Sequence, residues 1–275
     1  MKVTIVTPVY NGMPWLPESI RSVAEQRSKV EVEHLVYDGG STDGSAEWLR
    51  EHTSLGYEAI IGPDDGQTDA LAKGFSRATG EVFAWLNADD LLEPGALQRV
   101  VEVFEGDPGL AMVIAACLMI DTQGAIIGAI PVPPVTTLDG LLCLPAVPPQ
   151  PATFFSAQAY RRTEGLDPRY DLAMDLDLWL KLARVGQIRT LPTEVLARFR
   201  VHPAAKTTAR AGATARQDLM IRRRHGAPLR SRAAVTMIRL GYVRPVVSPL
   251  TRPFRRLAKR VVLGRPDRGA SAGPL

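Results

Sequence analysis

The chain has 275 residues, is 45% hydrophobic and 23% charged, and carries a formal net charge of +4. These values are ordinary for a soluble globular protein, and the length suits one large domain with appendages or two small ones, excluding any need for disulfide or metal staples to hold a core. The charge is unevenly spread: residues 1–214 hold 18 Lys and Arg against 27 Asp and Glu, and residues 215–275 hold 15 against 2.

In chain order, Val3–Thr7 alternates like a strand and meets Pro8 before the apolar core of a signal peptide could form. Pro14–Gln26 has helical spacing, with Leu16, Ile20, Val23 and Ala24 on one face. Strands are expected at Val32–Tyr37, Tyr57–Ile61, Val82–Leu86 and Ala111–Ala116. Helices are expected at Ser45–His52, Gln67–Ala78 and Pro94–Phe104. Strands separated by helices of about 10–15 residues argue for βαβ units and a mostly parallel sheet flanked by helices. Ligands of such sheets bind outside the carboxyl ends of the strands.

The longest apolar run, Leu110–Ile120, is too short to span a bilayer. Met119–Ile127 resembles a hairpin, and the proline-rich stretch Pro131–Pro151 a loop or broken helix. Leu172–Ala183 returns to helical spacing, and Ile188–Leu191 and Val195–Phe199 form two short strands. From Ala213 the sequence is helical, basic and punctuated by proline, with Gly264–Leu275 expected to be disordered. Cys117 and Cys143 sit in apolar surroundings without a Cys-x-x-Cys pair, which predicts buried thiols in a reducing compartment. The expected location is cytoplasmic.

Two segments at strand ends carry chemistry. Asp38-Gly39-Gly40-Ser41-Thr42-Asp43-Gly44 follows the second strand, and its glycines let backbone approach a ligand closely. The spacing fits neither a dinucleotide fingerprint nor a P-loop. A plain glycine-rich turn with Asp43 near a helix N-terminus explains the segment equally well. Asn87-Ala88-Asp89-Asp90 follows the fourth strand, where two adjacent carboxylates repel unless a cation or donor separates them. Their hard oxygens suit Mg²⁺ or Mn²⁺ holding substrate phosphates. The alternative is a carboxylate capping the next helix.

These segments, together with Thr7-Pro8-Val9-Tyr10-Asn11-Gly12, Ala78-Thr79-Gly80-Glu81 and Met174-Asp175-Leu176-Asp177-Leu178-Trp179, resemble the family 2 glycosyltransferases over residues 2–205. The resemblance implies a GT-A fold: a nucleotide-binding half at 1–115 and an acceptor half at 116–212, followed by a basic helical C-terminal extension at 213–275. By that resemblance Pro8 and Tyr10 line a nucleotide pocket and Asp38 bonds the base. Asp65, Gly66 and Asp69 lie along the nucleotide or sugar, and Asn87 and Asp89 touch the ribose. Asp89, Asp90 and His202 hold Mg²⁺ or Mn²⁺. Arg200 and Lys206 neutralise the leaving diphosphate, and Asp175 is the catalytic base.

Two positions depart from the family. Asn87 stands where the acidic motif often begins with Asp, so the metal falls to Asp89 and Asp90. Met174 stands where many members have Glu. A base needs only to be ionised near the acceptor hydroxyl, and an ordinary Asp with a pKa of about 3.9 meets that need untuned.

The implied activity is inverting transfer of a sugar from a nucleoside diphosphate to a hydroxyl of a carbohydrate or lipid-linked acceptor, in cell-surface polysaccharide or glycolipid synthesis. A nucleotidyltransferase is the first alternative, against which Pro8–Gly12 offers no basic residue. A non-catalytic, membrane-associated binding protein for nucleotide sugars is the second. Residues 230–263 alternate basic and apolar positions, so they fit the inner face of an anionic membrane or a solvated helix packed on the acidic body. Few aromatics interleave with the arginines, so nucleic acid is not an expected partner.

Overall fold

The computed structural model describes residues 1–145, 147–206, 210–228 and 230–238. Its centre is one nine-stranded sheet made of β1 (Lys2–Val9), β2 (Glu31–Asp38), β3 (Glu58–Ile61), β4 (Val82–Trp85), β5 (Leu91–Leu92), β6 (Leu110–Ile120), β7 (Ile126–Ile130), β8 (Thr153–Ser156) and β9 (Gln187–Arg200). The strand order is β3-β2-β1-β4-β8-β6-β9-β5, with β7 beside β6. The β3-β2-β1-β4 portion is parallel, and β8 runs antiparallel between β4 and β6.

Successive residues of a strand point to opposite faces. Phe83 and Trp85 of β4, Met112 and Ile114 of β6 and Phe155 of β8 enter one core. Val82 and Ala84, Val113 and Ala115, and Phe154 enter the other. Helices cover both faces, which is why these strands are apolar throughout rather than alternating. The first core takes α3 (Gln67–Arg77), α6 (Ala157–Arg161) and α7 (Met174–Val185). The second takes α4 (Ala96–Gly106) and part of α1 (Leu16–Ala24). A smaller cluster joins α1 to α2 (Ser45–Glu51) through Leu16, Ile20 and Leu49. In α3, a Cβ on Gly74 would lie 2.5 Å from Val6 Cγ1, so only glycine lets that helix sit so close to β1.

The expected elements of the first half are all present, with ends displaced by up to two residues, except that the strand expected at Ala111–Ala116 runs four residues further, to Ile120. The apolar run Leu110–Ile120 is strand β6 in full. The hairpin is β6–β7, and the proline-rich stretch is broken by one short helix, α5 (Leu138–Cys143). Elsewhere the structure corrects the sequence. The two short strands expected at 188–199 are one strand, β9, whose pairing with β6 jumps from Leu191 opposite Ala115 to Val195 opposite Ala116. Pro192 lies in that bulge, where a residue without an N–H is tolerated. Cys117 is buried and Cys143 half-buried, and both are free thiols.

The boundary expected at residue 212 falls inside α8 (Ala211–Arg224). Ile221 of that helix is wholly buried in the first core. Arg222, 1% exposed, donates to the carbonyls of Leu141 and Leu144 at the end of α5. The basic extension therefore starts as part of the body. The short helix α9 (Arg232–Ile238) packs on α8 through Ala234. Residues 239–275, which include most of the expected membrane-facing stretch and all of the expected disordered end, lie outside the described residues.

Candidate active site

β1, β2, β3 and β4 end at Val9, Asp38, Ile61 and Trp85, so the loops that follow share one edge of the sheet. Hydrogen bonds lace two of those loops together. Asn11 N donates to Ser41 Oγ at 2.8 Å, and Thr42 N donates to Asn11 Oδ1 at 2.9 Å. Met13 N donates to Asp43 Oδ2 at 2.8 Å, and Gly12 N to Ser45 Oγ at 3.0 Å. Asn11 takes a left-handed conformation (φ 52°), which Asn tolerates better than most residues. Neither Asn11 nor Asp43 stood out as a site residue in the sequence. The signal was a side-chain amide followed at a distance by the Ser-Thr-Asp run, and it needs the fold to be recognised.

Asp38 is 1% exposed. Its Oδ1 accepts from Gly40 N at 3.0 Å and Ser41 N at 2.9 Å, while its Oδ2 is buried without a partner. An unpaired buried carboxylate oxygen is costly unless a donor arrives. Pro8 is half-buried, and Tyr10 beyond it is 72% exposed at the rim. Gly66 has φ 101° at the start of α3. Asp65 is exposed, and Asp69 is half-buried and paired with Lys73 at 2.6 Å.

Around Asn87–Asp90 the structure separates what the sequence joined. Asp89 Oδ2 lies 2.8 Å from His202 Nε2, bringing together two residues 113 positions apart. Trp15 lies against the other side of His202, with ring centroids 4.4 Å apart. Asp90 does not join this pair. It is wholly buried, accepts from Arg200 N at 3.0 Å and Asn87 Nδ2 at 3.1 Å, and turns into the protein. Desolvation, and then the charge of Asp89, pushes its carboxyl well above the usual range. Burial runs against the expectation of Asp90 as a ligand: one oxygen serves the end of β9 and the other accepts from Asn87.

Asn87 also differs from expectation. Both amide donors are used internally, on Asp90 and on Gln150 Oε1 at 3.0 Å, and its Oδ1 accepts from Gln67 Nε2 at 2.8 Å. Arg200 is 1% exposed and donates to Asp89 O, Asp121 O and Glu18 Oε2. It braces the turn from behind and is not open to a diphosphate. Lys206 Nζ donates to Gln67 Oε1 at 3.0 Å, at the start of α3.

Asp175 stands in the first turn of α7. Thr68 Oγ1 of α3 donates to Tyr170 O at 2.8 Å, which brings the segment leading into α7 to the same edge. Part of the residue stays open, yet protein surrounds the carboxyl, and this desolvation raises its pKa to about 6. The untuned Asp of the sequence reading is corrected here. Asp177, two positions on, is 2% exposed and binds His225 Nε2 at 2.7 Å and Lys181 Nζ at 2.6 Å, a structural role as its spacing implies.

Residues 4–124 match the model of the family described as Glycosyl transferase family 2. That segment is similar to the family 2 glycosyltransferases, as are the relatives below. An uncharacterized glycosyltransferase of Nostoc sp. is 29% identical over 231 residues, spanning 79% of this chain and 70% of its own. The chondroitin synthase of Escherichia coli is 28% identical over 189 residues, which cover 68% of this chain but only 27% of that protein. Among solved structures, S. aureus TarS 1–349 in complex with UDP-GlcNAc aligns with a TM-score of 0.64 at 13% identity, over 88% of this chain and 70% of that one. The mannosyltransferase PcManGT from Pyrobaculum calidifontis, in complex with GDP-Man and Mn²⁺, aligns with a TM-score of 0.64 at 20% identity, over 98% and 76%. At such identities the likeness concerns the fold, which is GT-A as the motifs implied.

Proposed function

We propose that this glycosyltransferase moves a sugar from a nucleoside diphosphate donor to a hydroxyl of a carbohydrate or lipid-linked acceptor, with inversion. The observation that carries the reading is the Asp89–His202 pair at 2.8 Å, on the sheet edge where Asp38 keeps a buried oxygen without a partner. A base N–H satisfies Asp38 Oδ2, and Pro8 and the exposed ring of Tyr10 flank the base. Asp65, Gly66 and Asp69 line the path toward the sugar. The cell-surface polysaccharide or glycolipid pathway is inferred from the chondroitin synthase among the relatives. Nucleotidyl transfer is disfavoured by the family and by the absence of a basic residue in Pro8–Gly12.

The Asp89 carboxylate and the His202 imidazole are the residues that would hold Mn²⁺ or Mg²⁺. Among the described residues no group of three or more His, Cys, Asp or Glu side chains is placed to hold a metal ion, so the protein would supply two ligands here. A cation held there would supply charge neutralisation for the departing diphosphate. Asp175, ionised, accepts the acceptor hydroxyl proton as that oxygen bonds to the anomeric carbon. The bond from that carbon to the diphosphate oxygen breaks, and its electron pair leaves with the nucleotide. In calorimetry against UDP-GlcNAc and GDP-mannose, Asp89→Ala and His202→Ala should each weaken the Mn²⁺-dependent part of binding at least tenfold. Unchanged Mn²⁺ dependence in both would remove the metal assignment.

No helix among the described residues is long and apolar enough to cross a membrane. We also propose that residues 230–263 meet an anionic membrane surface, on the strength of their basic and apolar alternation. Flotation with anionic liposomes, with and without residues 239–275, tests it, and equal flotation rejects it.

A further inference from the structure

α7 begins without a cap of its own. Its N-cap residue is Ala173, which has no side-chain acceptor. Three residues on stands Leu176, where a capping box would place Glu or Gln to reach back to the N-cap N–H. The missing acceptor comes from a different helix. Gln217 Oε1 of α8 accepts from Ala173 N at 2.8 Å and from Leu172 N at 2.9 Å. Its Nε2 donates to Asp171 Oδ1 at 3.3 Å, and Arg210 donates to Asp171 Oδ2 at 2.9 Å. All four contacts converge on the residues just before Asp175.

The neighbouring face of α8 adds to the clamp. Asp218, 5% exposed, pairs with Arg222 at 2.6 Å, and Arg222 is fixed to the carbonyls at the end of α5. These two are the charged groups of α8 that act on the Asp175 carboxyl. Asp175 itself accepts from Leu176 N at 2.8 Å, so its orientation follows the first turn of α7. Whatever fixes that turn aims the carboxylate.

We propose that Gln217 is a positioning residue for Asp175, and that α8, by capping α7 in place of α7's own sequence, belongs to the acceptor side of the site. This rests on the reading of Asp175 as the base. The closest contacts lie far beyond the matched segment 4–124, so the proposal extends the working domain past it.

The test follows Asp175 by ¹³C-carboxyl NMR in the full-length chain, its signal assigned by loss in Asp175→Asn. In Gln217→Leu the freed turn admits water, and the Asp175 midpoint should fall by about half a pH unit or more toward the ordinary carboxylate range. Gln217→Glu keeps an accepting oxygen and adds negative charge, so its midpoint should stay at or above that of the parent. A midpoint unchanged or raised in Gln217→Leu overturns the proposal. If Gln217→Leu does not fold, Gln217→Glu decides, and a lowered midpoint overturns it. Full donor hydrolysis by Asp175→Asn would instead remove the base assignment, a failure this titration does not share.

Discussion

Asp175 shows how much a single environment changes a residue. In sequence it is one acid in a helical run; in the structure, desolvation lifts it to about 6. A base works only when ionised, so transfer should be half-maximal near pH 6, approach its full value above about pH 7 and fall as pH drops. Asp175→Asn should reduce transfer by at least about a thousandfold while leaving nucleotide affinity within twofold. The same shift has a stability consequence. Ionising this carboxyl costs more in the folded chain than in the unfolded one, so Asp175→Asn should stabilise the protein above pH 6. That gain should vanish below about pH 4, where the native residue is protonated in both states. Discounted for its open side, the gain is about 1 kcal/mol, or roughly 2–4 °C in Tm for a chain of this size. Thermal melts at pH 8 and pH 4 check the sign.

Between elements, the junction of the 87–90 turn with the end of β9 fixes the candidate metal pair. Asp90 holds the backbone of Arg200, and the Arg200 side chain holds the carbonyls of Asp89 and Asp121. The guanidinium also lies 5.7 Å from the Trp15 ring centroid, behind the His202 contact. Three elements therefore agree on where Asp89 meets His202. Arg200→Ala should cost about 3 kcal/mol through lost charge-assisted hydrogen bonds and an unfilled buried volume. It should also weaken Mn²⁺-dependent nucleotide binding although Arg200 touches no ligand. Urea unfolding and calorimetry on the same sample separate the two effects.

At the scale of the whole molecule, charge and structure divide the chain differently. The sequence turns basic near residue 215, which puts a border at 212. The sheet ignores that border, because Ile221 fills the first core and Arg222 closes the end of α5. A chain ending at 212 should lose cooperative unfolding. It forfeits about 1.5–3 kcal/mol for a buried Ile side chain, besides the buried Arg222 bonds, against a total stability of about 5–15 kcal/mol. Loss of near-UV circular dichroism in that truncation checks it.

The sequence by itself determined the alternation of strands and helices, the two acidic strand ends and the family resemblance, because periodicity and short-range motifs are local properties. The unlike fates of Asp89 and Asp90 were not legible. Adjacent carboxylates look alike in sequence, and only the approach of β9 buries one and leaves the other partly open beside His202. The cap on α7 was equally hidden, since Gln217 lies 44 positions from Ala173 and nothing near Asp175 marks the need for it. Tertiary structure decided these points for one physical reason. Desolvation and hydrogen bonding depend on which distant segments pack together, and a chain declares that only when folded.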